Sequence, residues 1–299
     1  MKIMFVKKID VHIHTTYWTE GALNRWSADT YATPEQIREK YDAWGIEKGI
    51  ILPAVNPECS FAIQSNEEAY QLTKKYPDEF YWFCNIHPRM GNNLPTTDFS
   101  KFINHYKQFG AKGVGELTFN MYVDDPFTEN LLYHCGECDM PVIFHIGPQI
   151  DGCYGFVDDF NLPRIEKMLK KYPKLKMIGH SQPWWAEISS DVTVETRNSY
   201  PPGKVTPGRV CELLREYENM YGDLSAGSGF NAVSRDPEFG YRFLEEFQDK
   251  LMFGTDICAP HNFMPLSGWL DEALTNNNIS QTTYNKICRE NAICVLKLN

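Results

Sequence analysis

Ile9-Asp10-Val11-His12-Ile13-His14 sits in the first apolar run of the chain, residues 8–14, and interleaves β-branched residues with ionisable ones. Side chains on a strand alternate between faces, so this spacing predicts Asp10, His12 and His14 on one face and Val11 and Ile13 on the other. Two imidazoles two residues apart near a strand end can grip one metal ion. The bland reading is an accidental pair or a tag remnant, yet a tag would be a longer run without interleaved β-branched residues. The pair decides the fold only if later strands supply further ligands.

Working outward, short apolar runs followed by amphipathic segments recur at 49–55, 80–86, 113–119, 141–147, 176–181, 220–225 and 251–258. Thr33-Pro34-Glu35 opens the first helix with a capping residue, a proline at the first helical position and an acid in the first turn. Eight strands alternating with eight helical segments predict an α/β fold, a (β/α)8 TIM barrel, as one domain over residues 1–299. An open doubly wound sheet would want a Gly-rich turn after the first strand, and Thr15-Thr16-Tyr17-Trp18 is not one.

A formal net charge of −10 argues against nucleic-acid partners and points to small molecules. No apolar run reaches the roughly 18 residues of a membrane helix, and residues 1–8 charge too quickly for a secretory signal, so the expected location is cytoplasmic. Nine scattered cysteines read as reduced thiols, not a disulfide framework. Cys135-Gly136-Glu137-Cys138, the one CxxC, lacks a second ligand pair and reads as helix-end packing before redox chemistry. A homo-oligomer stays open.

Reactive groups of such a barrel come from the C-terminal ends of different strands. His12 and His14 end the first run, Glu116 lies late in the fourth, His145 late in the fifth, His180 ends the sixth, and Asp256 lies late in the eighth. A lone buried His is more often a hydrogen-bonded core residue than a ligand, but six ionisable groups at the same end of their strands reverse those odds. Imidazole with carboxylate suits a divalent first-row metal, zinc foremost, with manganese or iron as alternatives. Such an ion makes a hydroxide nucleophile available at neutral pH.

The Asp10-Val11-His12-Ile13-His14 opening, the single histidines His145 and His180, and Gly254-Thr255-Asp256 together resemble the amidohydrolase superfamily. Ile178-Gly179-His180 and Glu290-Asn291-Ala292 are most similar to its amidohydrolase-related family, which includes aminocarboxymuconate semialdehyde decarboxylase. The resemblance spans essentially the whole chain and is specific as an ordered set. It implies a metal held by His12, His14, His145 and Asp256, with His180 a general acid/base or a ligand to a second metal. Glu116 stands where many binuclear relatives carry a carboxylated lysine, and it resembles the bridging carboxylate of TatD-type hydrolases. One metal or two stays open.

The first functional expectation is hydrolysis of a small amide, lactone or ester, with Glu116, His180 and Asp256 as the catalytic set, Asp256 accepting or shuttling the water's proton. The second is non-oxidative decarboxylation of a small aromatic or enol acid at the same site, and a non-catalytic metal-binding scaffold is the third. Asp10 is expected either to orient a ligand imidazole or to be a buried, hydrogen-bonded carboxylate. Trp18, Arg25 and Trp26 after the first run, and His87 and Arg89 after the third, are candidate substrate contacts, an arginine suiting a carboxylate substrate. Trp184 and Trp185 either wall the pocket or pack the insertion after the sixth run, while His105, His134 and His261 read as structural.

Overall fold

The computed structural model describes residues 3–20, 23 and 30–298. Its strands are β1 (Lys8–Ile13), β2 (Ile46–Ile51), β3 (Phe80–Trp82), β4 (Val114–Leu117), β5 (Val142–Gly147), β6 (Phe156–Val157), β7 (Met177–His180), β8 (Met220–Asp223) and β9 (Leu251–Met252). The helices are α1 (Pro34–Trp44), α2 (Asn66–Lys75), α3 (Ser100–Gln108), α4 (Pro126–Glu137), α5 (Pro163–Lys171), α6 (Gln182–Ala186), α7 (Arg209–Glu216), α8 (Ala226–Ser234), α9 (Pro237–Glu246) and α10 (Leu266–Thr275). A last segment runs α11 (Gln281–Asn285), a π turn (Lys286–Glu290) and α12 (Asn291–Leu296). Helix α1 starts where the sequence signals it, with Thr33 and Gln36 capping one another and Pro34 in the first turn.

All strand pairings are parallel and fall into two sheets, β1-β2-β3 and β4-β5-β7-β8-β9, with the short β6 beside β5. Single bridges close the ring at both seams. One joins Cys84 to Val114, and the other joins Ile13 to Ile257, flanked by Val11 N–H to Phe253 O at 3.1 Å and His14 N–H to Ile257 O at 2.9 Å. Leaving β6 aside, the other eight strands form the predicted TIM barrel. Ile9, Val11, Ile50, Ile143, Ile178 and Met252 meet in one apolar cluster, which takes one or two side chains from each of several strands and is therefore the barrel's interior. Val295 and Leu296 of α12 belong to it and plug the ring. A larger cluster holds the outward strand residues, such as Ile13, Val142 and Phe144, against the helices.

Strand alternation holds in β5 and β7 and breaks in β1 and β4. In β1, Asp10 pairs with Gly49 and Ile13 with Ile51, three residues against two; in β4, Val114 pairs with Val142 and Leu117 with Phe144, again three against two. Each is a bulge of one extra residue. Asp10 consequently does not share a face with the histidines. It turns toward α1, where the Tyr41 hydroxyl donates to it at 2.9 Å, while Val11 joins the interior and Ile13 the outer layer. Glu116 likewise does not share a face with Val114, which packs outward. Gly115 absorbs the extra residue at φ +143°, and a Cβ there would lie 2.5 Å from the Ile143 carbonyl.

After β7, Trp184 and Trp185 are buried and pack the insertion, Trp184 against Phe144 and Trp185 through its indole N–H to the Asp223 carbonyl at 2.8 Å. None of the nine cysteines is in a disulfide, and burial raises the pKa of both Cys135 and Cys138, which keeps them as thiols. Among the described residues, no helix is long and apolar enough to cross a membrane.

Candidate metal centre

Six ionisable side chains from β1, β4, β5, β7 and the turn after β9 converge at the C-terminal end of the barrel. His12 Nε2 lies 3.3 Å from His14 Nε2, and both lie 3.5 Å from Glu116 Oε2. Asp256 Oδ1 is 3.6 Å from the first of these nitrogens and 3.7 Å from the second. Four donors at the corners of a tetrahedron, each about 2.0 to 2.2 Å from a central ion, would be separated by about 3.3 to 3.6 Å. The His12, His14 and Glu116 donors fit three corners of such a site in spacing as well as in chemistry, while Asp256 groups with His12 and His180.

The other oxygen of Glu116 faces elsewhere. Oε1 is 2.9 Å from His145 Nδ1 and 3.9 Å from His180 Nε2, and these three residues form a second group of donors within reach of one point. His180 Nε2 is also 3.8 Å from Asp256 Oδ2. The resemblance implied His145 as the partner of His12, His14 and Asp256; in the structure Glu116 Oε2 lies beside His12 and His14, and His145 meets the other oxygen of Glu116.

The electrostatics describe a site short of positive charge. Burial alone would lower the His12 pKa, but the carboxylates of Asp256, Glu116 and Asp223 raise it well above the ordinary histidine range. Burial would raise Glu116, and the His12 charge with hydrogen bonds from His12, His14 and His145 instead holds it well below the usual carboxylate range. Burial lowers His145, leaving a neutral ring with a lone pair to offer. Without a metal, a proton on His12 supplies the charge that the carboxylates call for.

Behind the donors lies a layer that the sequence reading passed over. His12 Nδ1 lies 2.7 Å from Asp223 Oδ2, His14 Nδ1 donates to the Leu52 carbonyl at 2.8 Å, and Ser225 Oγ is 3.0 Å from His180 Nδ1. Asp10, offered as a partner for an imidazole, contacts none; it accepts the backbone N–H groups of His12 and Thr255. The available signal for Asp223 was an acid at the end of an otherwise ordinary barrel strand.

A cavity of about 360 Å³ opens over the centre. His14, Glu116, His145 and Asp256 form its base, with Tyr31, Asn56, Glu58, Tyr154 and His261 among its walls. His261 thus lines the site, contrary to its structural reading. Of the candidate substrate contacts, Arg25 lies outside the described residues, as does Trp26. Trp18 is 70% exposed and borders a neighbouring cavity that shares only Tyr31 and Phe61 with this one. His87 stands behind Glu58, its Nε2 3.3 Å from Oε1, and Arg89 points away, its guanidinium 4.3 Å over the Phe127 ring of α4. No lysine or arginine lines the cavity among the described residues.

A parallel barrel with histidines and carboxylates gathered at the C-terminal ends of its strands is the architecture of a metal-dependent barrel enzyme. The family model for Amidohydrolase matches residues 9–298, and the chain belongs to this amidohydrolase family. No curated protein sequence matches it. Among solved structures it resembles 2,6-dihydroxybenzoate decarboxylase from Rhizobium, with 16% identity over 98% of this chain and 99% of that one and a TM-score of 0.62. It also resembles 5-carboxyvanillate decarboxylase from Novosphingobium aromaticivorans, complexed with manganese and 4-hydroxy-3-methoxy-5-nitrobenzoic acid (18%, 98% and 96%, TM-score 0.59). A probable 2-pyrone-4,6-dicarboxylic acid hydrolase from Acinetobacter baumannii, with citric acid bound, is similar at 16% over 98% and 100%, TM-score 0.59. At these identities the likeness is one of fold.

Proposed function

We propose that the chain, as one catalytic domain over residues 1–299, is a cytoplasmic hydrolase of a small amide, lactone or ester that works with two divalent ions, zinc first among them. The observation that carries the reading is the division of the Glu116 carboxylate, one oxygen toward His12 and His14 and the other toward His145 and His180. A carboxylate in that position can be shared between two ions. His12, His14 and Asp256 would hold the first with Glu116, and His145 and His180 the second. Such ions polarise a carbonyl and lower the pKa of water to about 7. Asp256, partly exposed in the cavity lining, would take the water's proton; His180, if it held no ion, would instead steady the developing oxyanion or pass a proton to the leaving group.

Decarboxylation of a small aromatic or enol acid is the second reading, favoured by the two structural neighbours that are decarboxylases. The cavity's acidic groups, Glu58, Glu116 and Asp256, weigh against an anionic substrate unless metal offsets them. Metal analysis of protein purified without chelator should give about two equivalents, and Glu116→Gln should lose about one. A paired screen of lactones and N-acyl amino acids against hydroxybenzoates then decides the reaction. Carbon dioxide release without hydrolysis of any amide, lactone or ester would replace the first reading with the second.

A further inference from the structure

We propose that Asp223 and Ser225, at and just beyond the end of β8, form one positioning unit that links the two donor groups by fixing which ring nitrogen His12 and His180 each offer to metal. The inference rests on the two-ion reading above. Asp223 Oδ2 is 2.7 Å from His12 Nδ1 and accepts the Ser225 hydroxyl at 2.8 Å; Ser225 Oγ is in turn 3.0 Å from His180 Nδ1 and 3.3 Å from His12 Nδ1.

These donors and acceptors allow one arrangement of protons. A carboxylate only accepts, so His12 Nδ1 keeps its proton and Nε2 is the nitrogen left to offer a metal, facing His14, Glu116 and Asp256. Ser225 has one hydroxyl hydrogen, and with that committed to Asp223 its oxygen accepts from His180. The His180 proton is therefore on Nδ1, and its Nε2 lone pair faces Glu116 and Asp256.

The unit cannot swing away. Asp223 Oδ1 accepts the Ser225 backbone N–H at 2.9 Å, and Trp185 holds the Asp223 carbonyl. Both side chains are fully buried, so water does not compete for these bonds. Gly254 leaves the room they need, since a Cβ there would lie 2.7 Å from Asp223 Oδ1 and 2.8 Å from Ser225 Cβ. Groups that orient ligand imidazoles in this manner typically support metal affinity by about 10- to 100-fold.

The two arms are separable by mutation. Ser225→Ala removes the nearer acceptor for His180, leaving Asp223 Oδ2 at 3.4 Å, and keeps the Asp223 bond to His12, so the second ion should weaken about 10-fold, the low end for such groups, while the first changes little. Ser225→Thr keeps the hydroxyl and should restore the second affinity. Asp223→Asn cannot accept from His12, Ser225 O–H and Ser225 N–H together, and should weaken both ions. Chelator-competition titration of the metal-free full chain with Zn²⁺ reads these affinities without any substrate. Ser225→Ala and Asp223→Asn proteins that are folded by circular dichroism and bind both ions as the wild type does would overturn the unit. A wild type that binds one ion overturns the two-ion reading instead; the positioning claim is then decided by whether Asp223→Asn weakens that ion.

Discussion

Asp10 holds the centre together without touching an imidazole. Its Oδ1 accepts the backbone N–H of His12 at 3.1 Å and of Thr255 at 2.9 Å, and its Oδ2 accepts the Tyr41 hydroxyl at 2.9 Å and the Thr255 hydroxyl at 2.5 Å. Because Asp256 follows Thr255 and donates its own N–H to the His12 carbonyl at 2.8 Å, Asp10 sets the distance between two ligand-bearing segments. Burial pushes its pKa up to about 7 against the pull of these bonds, so a neutral group is not out of place there. Asp10→Asn keeps an oxygen for the two N–H groups and presents an amide to hydroxyls that can turn to accept it. Asp10→Leu leaves two buried N–H donors unpaired, at about 1 to 3 kcal/mol each. Urea unfolding should therefore show a loss of about 2 to 6 kcal/mol for Leu and clearly less for Asn. Equal losses would mean that the pocket needs the charge and not the acceptors. The six donors were legible because each interrupts an apolar run. Asp223 and Ser225 were not, since an acid and a serine where a strand ends also read as ordinary turn or capping residues.

At the scale of the element, two bulges aim the ligands. Alternation misassigned Asp10 to the face of His12 and His14, because an extra residue shifts every side chain beyond it to the other face, whereas β5 and β7, which carry His145 and His180, are regular. No pattern of apolar residues announces such an insertion, although Gly115 was a pointer: glycine within a strand often marks a bulge. Its φ of +143° disfavours any side chain, and the Ile143 carbonyl occupies the space. Gly115→Ala should destabilise the fold by about 1 to 3 kcal/mol and, by moving Glu116, weaken metal binding. Gly268→Ala in α10 is the matched control, with nothing within 4 Å of the new methyl, and should gain about 0.5 to 1 kcal/mol. Thermal melts of both variants, with a metal titration of the first, check the contrast. A Gly115→Ala protein with wild-type metal affinity would show that the bulge does not place Glu116.

Across the whole molecule, the eight β/α units and their order were legible from the repeat of runs and helices. The division of the ring into two sheets was not, because it depends on where backbone pairing lapses beside the bulges. That division gives the candidate centre a structural consequence. His12 lies in the three-stranded sheet and His14 directly follows its strand β1, while Glu116 and Asp256 come from β4 and the turn after β9 in the other. An ion held by these four would cross-link the sheets near seams that otherwise rest on isolated bridges at Cys84 with Val114 and Ile13 with Ile257 and on a few further hydrogen bonds, those of Asp10 with Thr255 among them. Ligand binding to the native state alone stabilises it by about 2.7 kcal/mol at a hundredfold excess over Kd. Removing metal with a chelator should accordingly lower the thermal midpoint by several degrees, and adding Zn²⁺ back should restore it. Exchange of the amide hydrogens of Val11, His14 and Gly115, which bond across the seams to Phe253, Ile257 and Cys84, should quicken more than that of amides inside either sheet. A drop in midpoint with uniform exchange would still fit metal binding but not the cross-link. If neither the midpoint nor the exchange responds to metal, the four donors do not share an ion, and the carboxylates around His12 are instead satisfied by its proton alone.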